Sequence, residues 1–157
     1  MNKHLLVLIT LLTFGIVSCS NEVTLVCDCY KTNEFYPSSG KLVDKECGDS
    51  KVFGYSTESL VFNEKEKFIN WSGYENIGFE KRKFGITAES ELEFEDKKIL
   101  FNYRSSWKIN NGNDIEDNYN DLDLNFNRVS LVAEERRSGT NSTAVTRFFK
   151  CKVAESV

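Results

Sequence analysis

Ile86-Thr87-Ala88-Glu89-Ser90-Glu91-Leu92-Glu93-Phe94-Glu95-Asp96-Lys97-Lys98-Ile99-Leu100-Phe101-Asn102-Tyr103-Arg104-Ser105-Ser106-Trp107 is the stretch that decides how this chain folds. Its first half places Ile86, Ala88, Ser90, Leu92 and Phe94 on one side and Thr87, Glu89, Glu91 and Glu93 on the other. That period-two alternation belongs to a half-buried strand. The second half puts Ile99, Phe101, Tyr103, Ser105 and Trp107 on one face. With Asp96-Lys97 at the turn, Phe94 meets Ile99, Leu92 meets Phe101 and Ile86 meets Trp107, all inward, while Glu89 stands opposite Arg104 on the solvent side. Both faces agree on one register, and a slip of one residue would invert them.

The same alternation recurs along the chain and helical spacing is nearly absent, so an all-β domain is expected. Further strands are predicted near Lys51 to Tyr55, Ser59 to Asn63, Lys67 to Trp71, Leu122 to Phe126, Val129 to Arg136 and Thr143 to Lys152. Turns fall at Asn63-Glu64, Asn110 to Asn113, Asn127-Arg128 and Ser138-Gly139-Thr140-Asn141, and the Glu64 to Lys67 charge run reads as solvated turn. Short connections imply an antiparallel up-and-down meander. Eight or nine strands closing into a single β-barrel around a side-chain-filled interior would remove sticky edges. A two-sheet β-sandwich satisfies the same pattern.

Ahead of these strands stand Lys3, an apolar run of 13 residues from Leu5 to Val17 that includes Thr10, Thr13 and Gly15, and the sequence Ile16-Val17-Ser18-Cys19. A spanning helix needs roughly 20 apolar residues, so the run reads as a cleaved helical signal peptide. Ile16-Val17-Ser18-Cys19 resembles the lipobox of bacterial lipoproteins. The resemblance implies cleavage between Ser18 and Cys19, a diacylglycerol on the Cys19 thiol, an acylated new amino terminus, and membrane lipid as the partner of that anchor. Each buried methylene contributes about 0.8 kcal/mol, so two or three acyl chains make release rare. Ser20, where Asp would retain the protein at the inner membrane, is similar to the pattern sorted to the outer membrane, facing the periplasm. The expected organisation is therefore a leader over 1–18, a lipidated tether over 19–22 and one β domain over 23–157. Ser20, Asn21 and Glu22 span at most about 10 Å, which holds a domain with a radius of gyration near 14 Å against the lipid surface.

Cleavage of residues 1–18 from the 157 leaves 139, enough for one domain with a core, and moves the net charge from −4 to −5 by removing Lys3. No basic stripe is present, so nucleic acid is not an expected partner. His4, the one histidine, leaves with the leader. That excludes from the mature chain the usual general base near pH 7, any Ser-His or Cys-His nucleophile pair, and the commonest zinc ligand. No cofactor is expected.

Lipidation of Cys19 also leaves an even set, Cys27, Cys29, Cys47 and Cys151. Val23, Leu25, Cys27 and Cys29 share one face of the first predicted strand, and Val145, Arg147, Phe149, Cys151 and Val153 share one face of the last. If these strands lie side by side, as closure requires, Cys27 or Cys29 meets Cys151, and Cys47 takes the other, pinning the Gly/Ser/Asp-rich loop from Asn33 to Ser50. Cys27–Cys151 with Cys29–Cys47 is preferred over the swapped pairing. A Cys27–Cys29 bond has poor geometry. A four-thiolate zinc site is disfavoured by the Cys-x-Cys spacing and the oxidising compartment, and a redox dithiol by the lack of Cys-x-x-Cys.

Asp114, Glu116, Asp117, Asp121 and Asp123, with Asn111, Asn113 and Asn118, offer hard oxygen ligands, but EF-hand spacing is missing and an exposed acidic loop is the expectation, with no metal site assigned. Among Trp71, Tyr74, Phe79, Phe84, Tyr103 and Trp107, strand patterning explains Tyr103 and Trp107 as core, while Trp71-Ser72-Gly73-Tyr74 in a loop is harder to bury. Trp71, Tyr74, Tyr103 and Trp107 are the candidate ligand-binding residues. No catalytic residue is assigned.

Small envelope lipoproteins that inhibit lysozyme are similar in outline, with a leader, a short β-barrel and cysteines in the first strand and near the C-terminus, here Cys27 and Cys151. Their Ser-Gly inhibitory loop is poorly matched by Ser72-Gly73-Tyr74, so that activity is not carried over. The expected function is a non-enzymatic binding or inhibitor module at the membrane, taking an envelope protein or a small apolar ligand; a structural envelope component and a carboxylate-dependent hydrolase are the alternatives. The barrel interior discriminates. An open cavity lined by Trp107, Tyr103 and Phe149 favours a small ligand, a filled core favours surface recognition, and two convergent carboxylates in a cleft favour catalysis.

Overall fold

The computed structural model describes residues 21–47, 57–81, 85–110, 115–140 and 143–154. The leader, Ile16 to Cys19, the strand expected at Lys51 to Tyr55 and residues Phe84, Asn111, Asn113, Asp114 and Asn141 lie outside them. The described chain is nearly all antiparallel β. Its strands are β1 (Val23–Tyr36), β2 (Lys41–Lys45), β3 (Thr57–Asn63), β4 (Phe68–Trp71), β5 (Tyr74–Glu75), β6 (Phe79–Lys81), β7 (Thr87–Phe94), β8 (Lys98–Asn110), β9 (Ile115–Asn127), β10 (Val132–Gly139) and β11 (Ala144–Val153).

They form one sheet in the order β5-β4-β3-β1-β11-β10-β9-β8-β7-β6, with β2 paired to β1 off this path. The two-residue β5 apart, nine strands wrap a nearly closed barrel. The segment between β5 and β6 spans the remaining gap. Asn76 N donates to Ile69 O, Ile69 N donates to Asn76 Oδ1, and Ser90 N donates to Gly78 O. Backbone polar groups of β4 and β7 are thereby satisfied without a direct ladder between the two strands.

The β7–β8 hairpin has the expected register, with Phe94 opposite Ile99, Leu92 opposite Phe101 and Glu89 opposite Arg104. Arg104 nevertheless turns to its other neighbour, Asp121 on β9, in a bidentate pair at 2.6 and 2.8 Å. The fork of the guanidinium matches both oxygens of the Asp121 carboxylate.

First and last strands lie side by side with Cys27 directly opposite Cys151. The disulfides are Cys27–Cys151 and Cys29–Cys47. Between Cys29 and Lys31 the β1–β11 register shifts by a bulge. An extra residue there moves the inward positions from odd to even numbers, so that Thr32 and Glu34 become buried. The expected loop from Asn33 to Ser50 is corrected accordingly. β1 runs on to Tyr36 and Lys41 to Lys45 pairs back onto it. Both faces of Lys31-Thr32-Asn33-Glu34 are polar, so no hydrophobic alternation marks the strand.

The acidic loop is also corrected, since Glu116, Asp117, Asn118, Asp121 and Asp123 belong to β9. Lys108 opposite Asp117 and Arg104 opposite Asp121 offset the charge along that ladder. Ser72 and Gly73, with φ of 49° and 91°, form the two-residue turn between β4 and β5, a hairpin geometry that requires left-handed backbone at both positions.

One half of the interior is apolar. Leu25, Leu60, Phe62, Ile69, Ile99, Phe101, Leu124, Phe126 and Phe149 fill it around the Cys27–Cys151 bridge, with Phe62 against Phe94 and Phe126 and the Trp71 ring edge-on to Phe149.

Candidate functional site

Toward the end of the barrel remote from Val23, the inward positions turn polar. β1 contributes Thr32 and Glu34, β3 Glu58, β10 Glu135 and Arg137, and β11 Arg147. Glu135 is 0% exposed and Arg147 2%. A buried charge is tolerable only when paired and hydrogen-bonded, and these are. Arg147 donates through Nε and Nη2 to the Glu135 carboxylate at 2.8 and 2.9 Å, and Arg137 does the same at 2.8 and 2.9 Å. Trp71 Nε1 donates to Glu135 Oε2 at 2.5 Å. Arg147 Nη2 also lies 2.8 Å from Glu58 Oε1, and Ser72 Oγ donates to Glu58 Oε2.

Burial pushes the Glu135 carboxyl up, but the hydrogen bonds from Arg147 and Arg137 outweigh it and hold the group below the usual carboxylate range. Burial likewise lowers Arg137, and the Glu135 bond reverses it to a net rise. At the lip, Glu34 accepts from Tyr36 OH and, at 2.6 Å, from Lys45 Nζ. The hydrogen bonds to Glu34 and Tyr36 raise the Lys45 ammonium. Thr32 Oγ1 is buried without a hydrogen-bond partner among the described residues.

Of the four candidate binding residues, the structure brings together two. The Tyr74 ring packs edge-on against Tyr103 at 5.1 Å, and the Arg137 guanidinium lies over Tyr74 at 5.2 Å. Trp71, expected in an exposed loop, is instead 0% exposed and closes the core at the end of β4. Trp107 is half-buried, four residues beyond Tyr103 on the same face of β8. Phe149 is fully buried beneath Trp71 and the Arg147 guanidinium. Trp107, Tyr103 and Phe149 therefore do not enclose an open cavity. Trp71→Phe is expected to cost about 1.5–3 kcal/mol, the range for a hydrogen bond to a charged group, read as a lower urea midpoint; an unchanged midpoint would remove the indole from the network.

Glu58 and Glu135 do converge, on the same Arg147 nitrogen. A general acid working near neutrality needs a raised pKa and access to substrate. Glu135 has neither. Sequence reasoning missed this cluster, although one signal was present: Arg147 shares its face with Val145, Phe149 and Cys151, a charge in an inward row.

A concavity of about 500 Å3 lies over β7, β8 and β9, lined mostly by outward-facing side chains. Glu89, Glu91, Asn102, Arg104, Asp121 and Asp123 line it, together with Gly78, Ser90 and the candidate residue Tyr103. Partial burial, then the neighbouring Asp121, raise the Asp123 carboxyl, with Arg136 and Arg104 acting against them. Asp121 raises the Arg104 guanidinium and keeps it charged. Among the described residues no cluster of His, Cys, Asp or Glu is arranged to hold a metal ion. Comparison with protein-family models, with curated proteins and with solved structures finds no match to this chain.

Proposed function

We propose that this chain is a lipid-anchored lipoprotein of a bacterial envelope and a non-enzymatic module that recognises an envelope protein through its outer surface. One observation carries the recognition reading. Among the described residues aromatic rings occupy the interior at one end and mutually neutralised charges at the other, which favours binding through the outside of the barrel. The filled core weighs against a small apolar ligand, and the depressed, buried Glu135 weighs against carboxylate catalysis. The outer groove over β7 to β9 presents four carboxylates around one guanidinium, which suits a cationic segment of a partner and predicts salt-sensitive association. The anchor reading rests on Ile16-Val17-Ser18-Cys19.

A photo-crosslinking residue in place of Asn102, in the native host, tests the recognition reading. The expected result is a discrete protein adduct that is lost on Glu91→Lys with Asp123→Lys. No protein adduct from a folded, correctly fractionated variant would overturn it. Intact mass of the native protein tests the anchor: a chain beginning at Cys19 and carrying diacylglycerol is expected, and any other amino terminus refutes it.

A further inference from the structure

We propose that the barrel end bearing the amino terminus is a membrane-docking rim that seats Val129 in the bilayer surface and stands the barrel upright on its anchor. The inference rests on the lipid anchor proposed above, and it adds an orientation that the anchor alone does not impose.

Three turns and the last strand converge at this end. β1 enters at Val23 opposite Phe62, which leads into the turn over 64–67, and Leu25 pairs with Val153. Arg128 ties the turns together. Its N donates to Lys97 O at 2.8 Å, Nη1 to Glu95 O at 3.2 Å and Nη2 to Glu64 Oε2 at 2.8 Å. The tip beyond it is preorganised, because Asn127 Oδ1 accepts from both Val129 N and Ser130 N and Leu131 adopts a φ of 54°.

That rigid turn holds Val129 74% exposed, and Val153 on the same rim is 65% exposed. These are the two most exposed large apolar side chains among the described residues. Holding an apolar side chain out on a braced turn has no packing return within the barrel. A bilayer interface supplies one.

Distance supports the same occupant. Cys19 precedes Asn21, the first described residue, by two positions, and Ser20 to Glu22 reach at most about 10 Å. The entry point of β1 on the rim therefore stays within about 10 Å of the lipid surface while the anchor is inserted. Lys65, Lys67, Lys97, Lys98, Arg128 and Lys152 lie around it against Glu22, Glu64, Glu66, Glu95 and Asp96, with the carboxylates of Glu64 and Glu95 engaged by Arg128 and Lys98. In a mature chain of net charge −5 this rim carries a slight excess of basic side chains, which eases its approach to anionic headgroups. The groove over β7 to β9 then stands upright at the side of the barrel, open to a soluble partner.

The test uses the full-length lipidated protein in vesicles of phosphatidylethanolamine and phosphatidylglycerol containing brominated lipid. Val129→Trp is placed at an exposed turn where the fold does not depend on it, and its emission is read as the difference from the unsubstituted protein. Leu42→Trp is the control. It is 62% exposed on β2, opposite Phe35, and Phe35 lies ten positions beyond Leu25 on β1, about 33 Å along the strand. Blue-shifted, strongly quenched emission from the Val129→Trp variant is expected, with unshifted, unquenched emission from the Leu42→Trp variant. Adding Lys65→Glu and Lys97→Glu to the Val129→Trp variant should weaken the quenching. A lipidated Val129→Trp chain whose added indole stays water-like overturns the docking while leaving the anchor intact, as does quenching of the Leu42→Trp variant in its place. A chain whose mass shows no lipid overturns the anchor and the rim together.

Discussion

Glu135→Ala is expected to destabilise the barrel by about 3–5 kcal/mol, the cost of breaking a buried ion pair by removing one partner. Two guanidiniums converge on this carboxylate, and Arg147, which is buried, would keep its pair with Glu58 but lose its bidentate partner. The Trp71 indole loses its acceptor at the same time. A urea titration at pH 7 reads the loss as a fall in midpoint. Replacing Glu58, Glu135, Arg137 and Arg147 together by apolar residues of similar volume should cost far less than Glu135→Ala, because neither guanidinium is then left without its carboxylate. A quadruple variant as unstable as the single one would show that shape, and not charge, dominates the site.

The same carboxylate sets a pH dependence whose sign follows from its position below the ordinary value of 4.5. A group with a depressed folded pKa contributes stability that is fully present above its unfolded pKa and is lost as pH falls through the folded one. Stability should thus hold through neutrality down to about pH 5 and decline below about pH 4. Glu135→Gln removes the titrating proton, so its decline over that acid window should be shallower than that of the unsubstituted protein. Parallel declines would assign the acid sensitivity to other carboxylates.

Removal of the bridge between the first and last strands has the largest expected effect of any covalent change. Cys27 and Cys151 are 124 positions apart, Cys29 and Cys47 only 18. Loop-closure entropy assigns about 5 kcal/mol to the longer loop and about 3 kcal/mol to the shorter. Cys27→Ala with Cys151→Ala should therefore lower stability by more than Cys29→Ala with Cys47→Ala, in equilibrium unfolding without reductant. Equal losses would mean that native packing around the sulfurs, and not restriction of the unfolded chain, decides their worth. The intact mass should rise by four hydrogens on full reduction, and no rise would remove both bridges.

Much of this architecture was legible along the chain. Alternation from Ile86 to Trp107 specified a hairpin and its register, because a one-residue slip would have exposed Leu92, Phe94, Ile99 and Phe101 together. The inward rows ending in Cys27 and Cys151 anticipated the neighbours that close the barrel. Legibility failed where inward positions are polar. Thr32 and Glu34 follow a bulge that reverses the parity of β1, and a run with polar residues on both faces carries no periodic signal. Trp71 was misplaced for a related reason: the Ser72-Gly73 turn beside it reads as loop, whereas a two-residue hairpin turn leaves its flanking residue fully within the sheet.

Local periodicity determined the fold class, the central hairpin and the pairing of the terminal strands, since each depends on which face of a strand a residue occupies. Tertiary structure alone decided the charged end of the interior. Glu135 is satisfied by Trp71, 64 positions away, and Arg147 by Glu58 from a strand on the far side of β1. A strand pattern says that a side chain points inward. Which distant group will meet it there, and whether a buried charge is neutralised or left free to act, is set only when curvature brings β3, β4, β10 and β11 around one space.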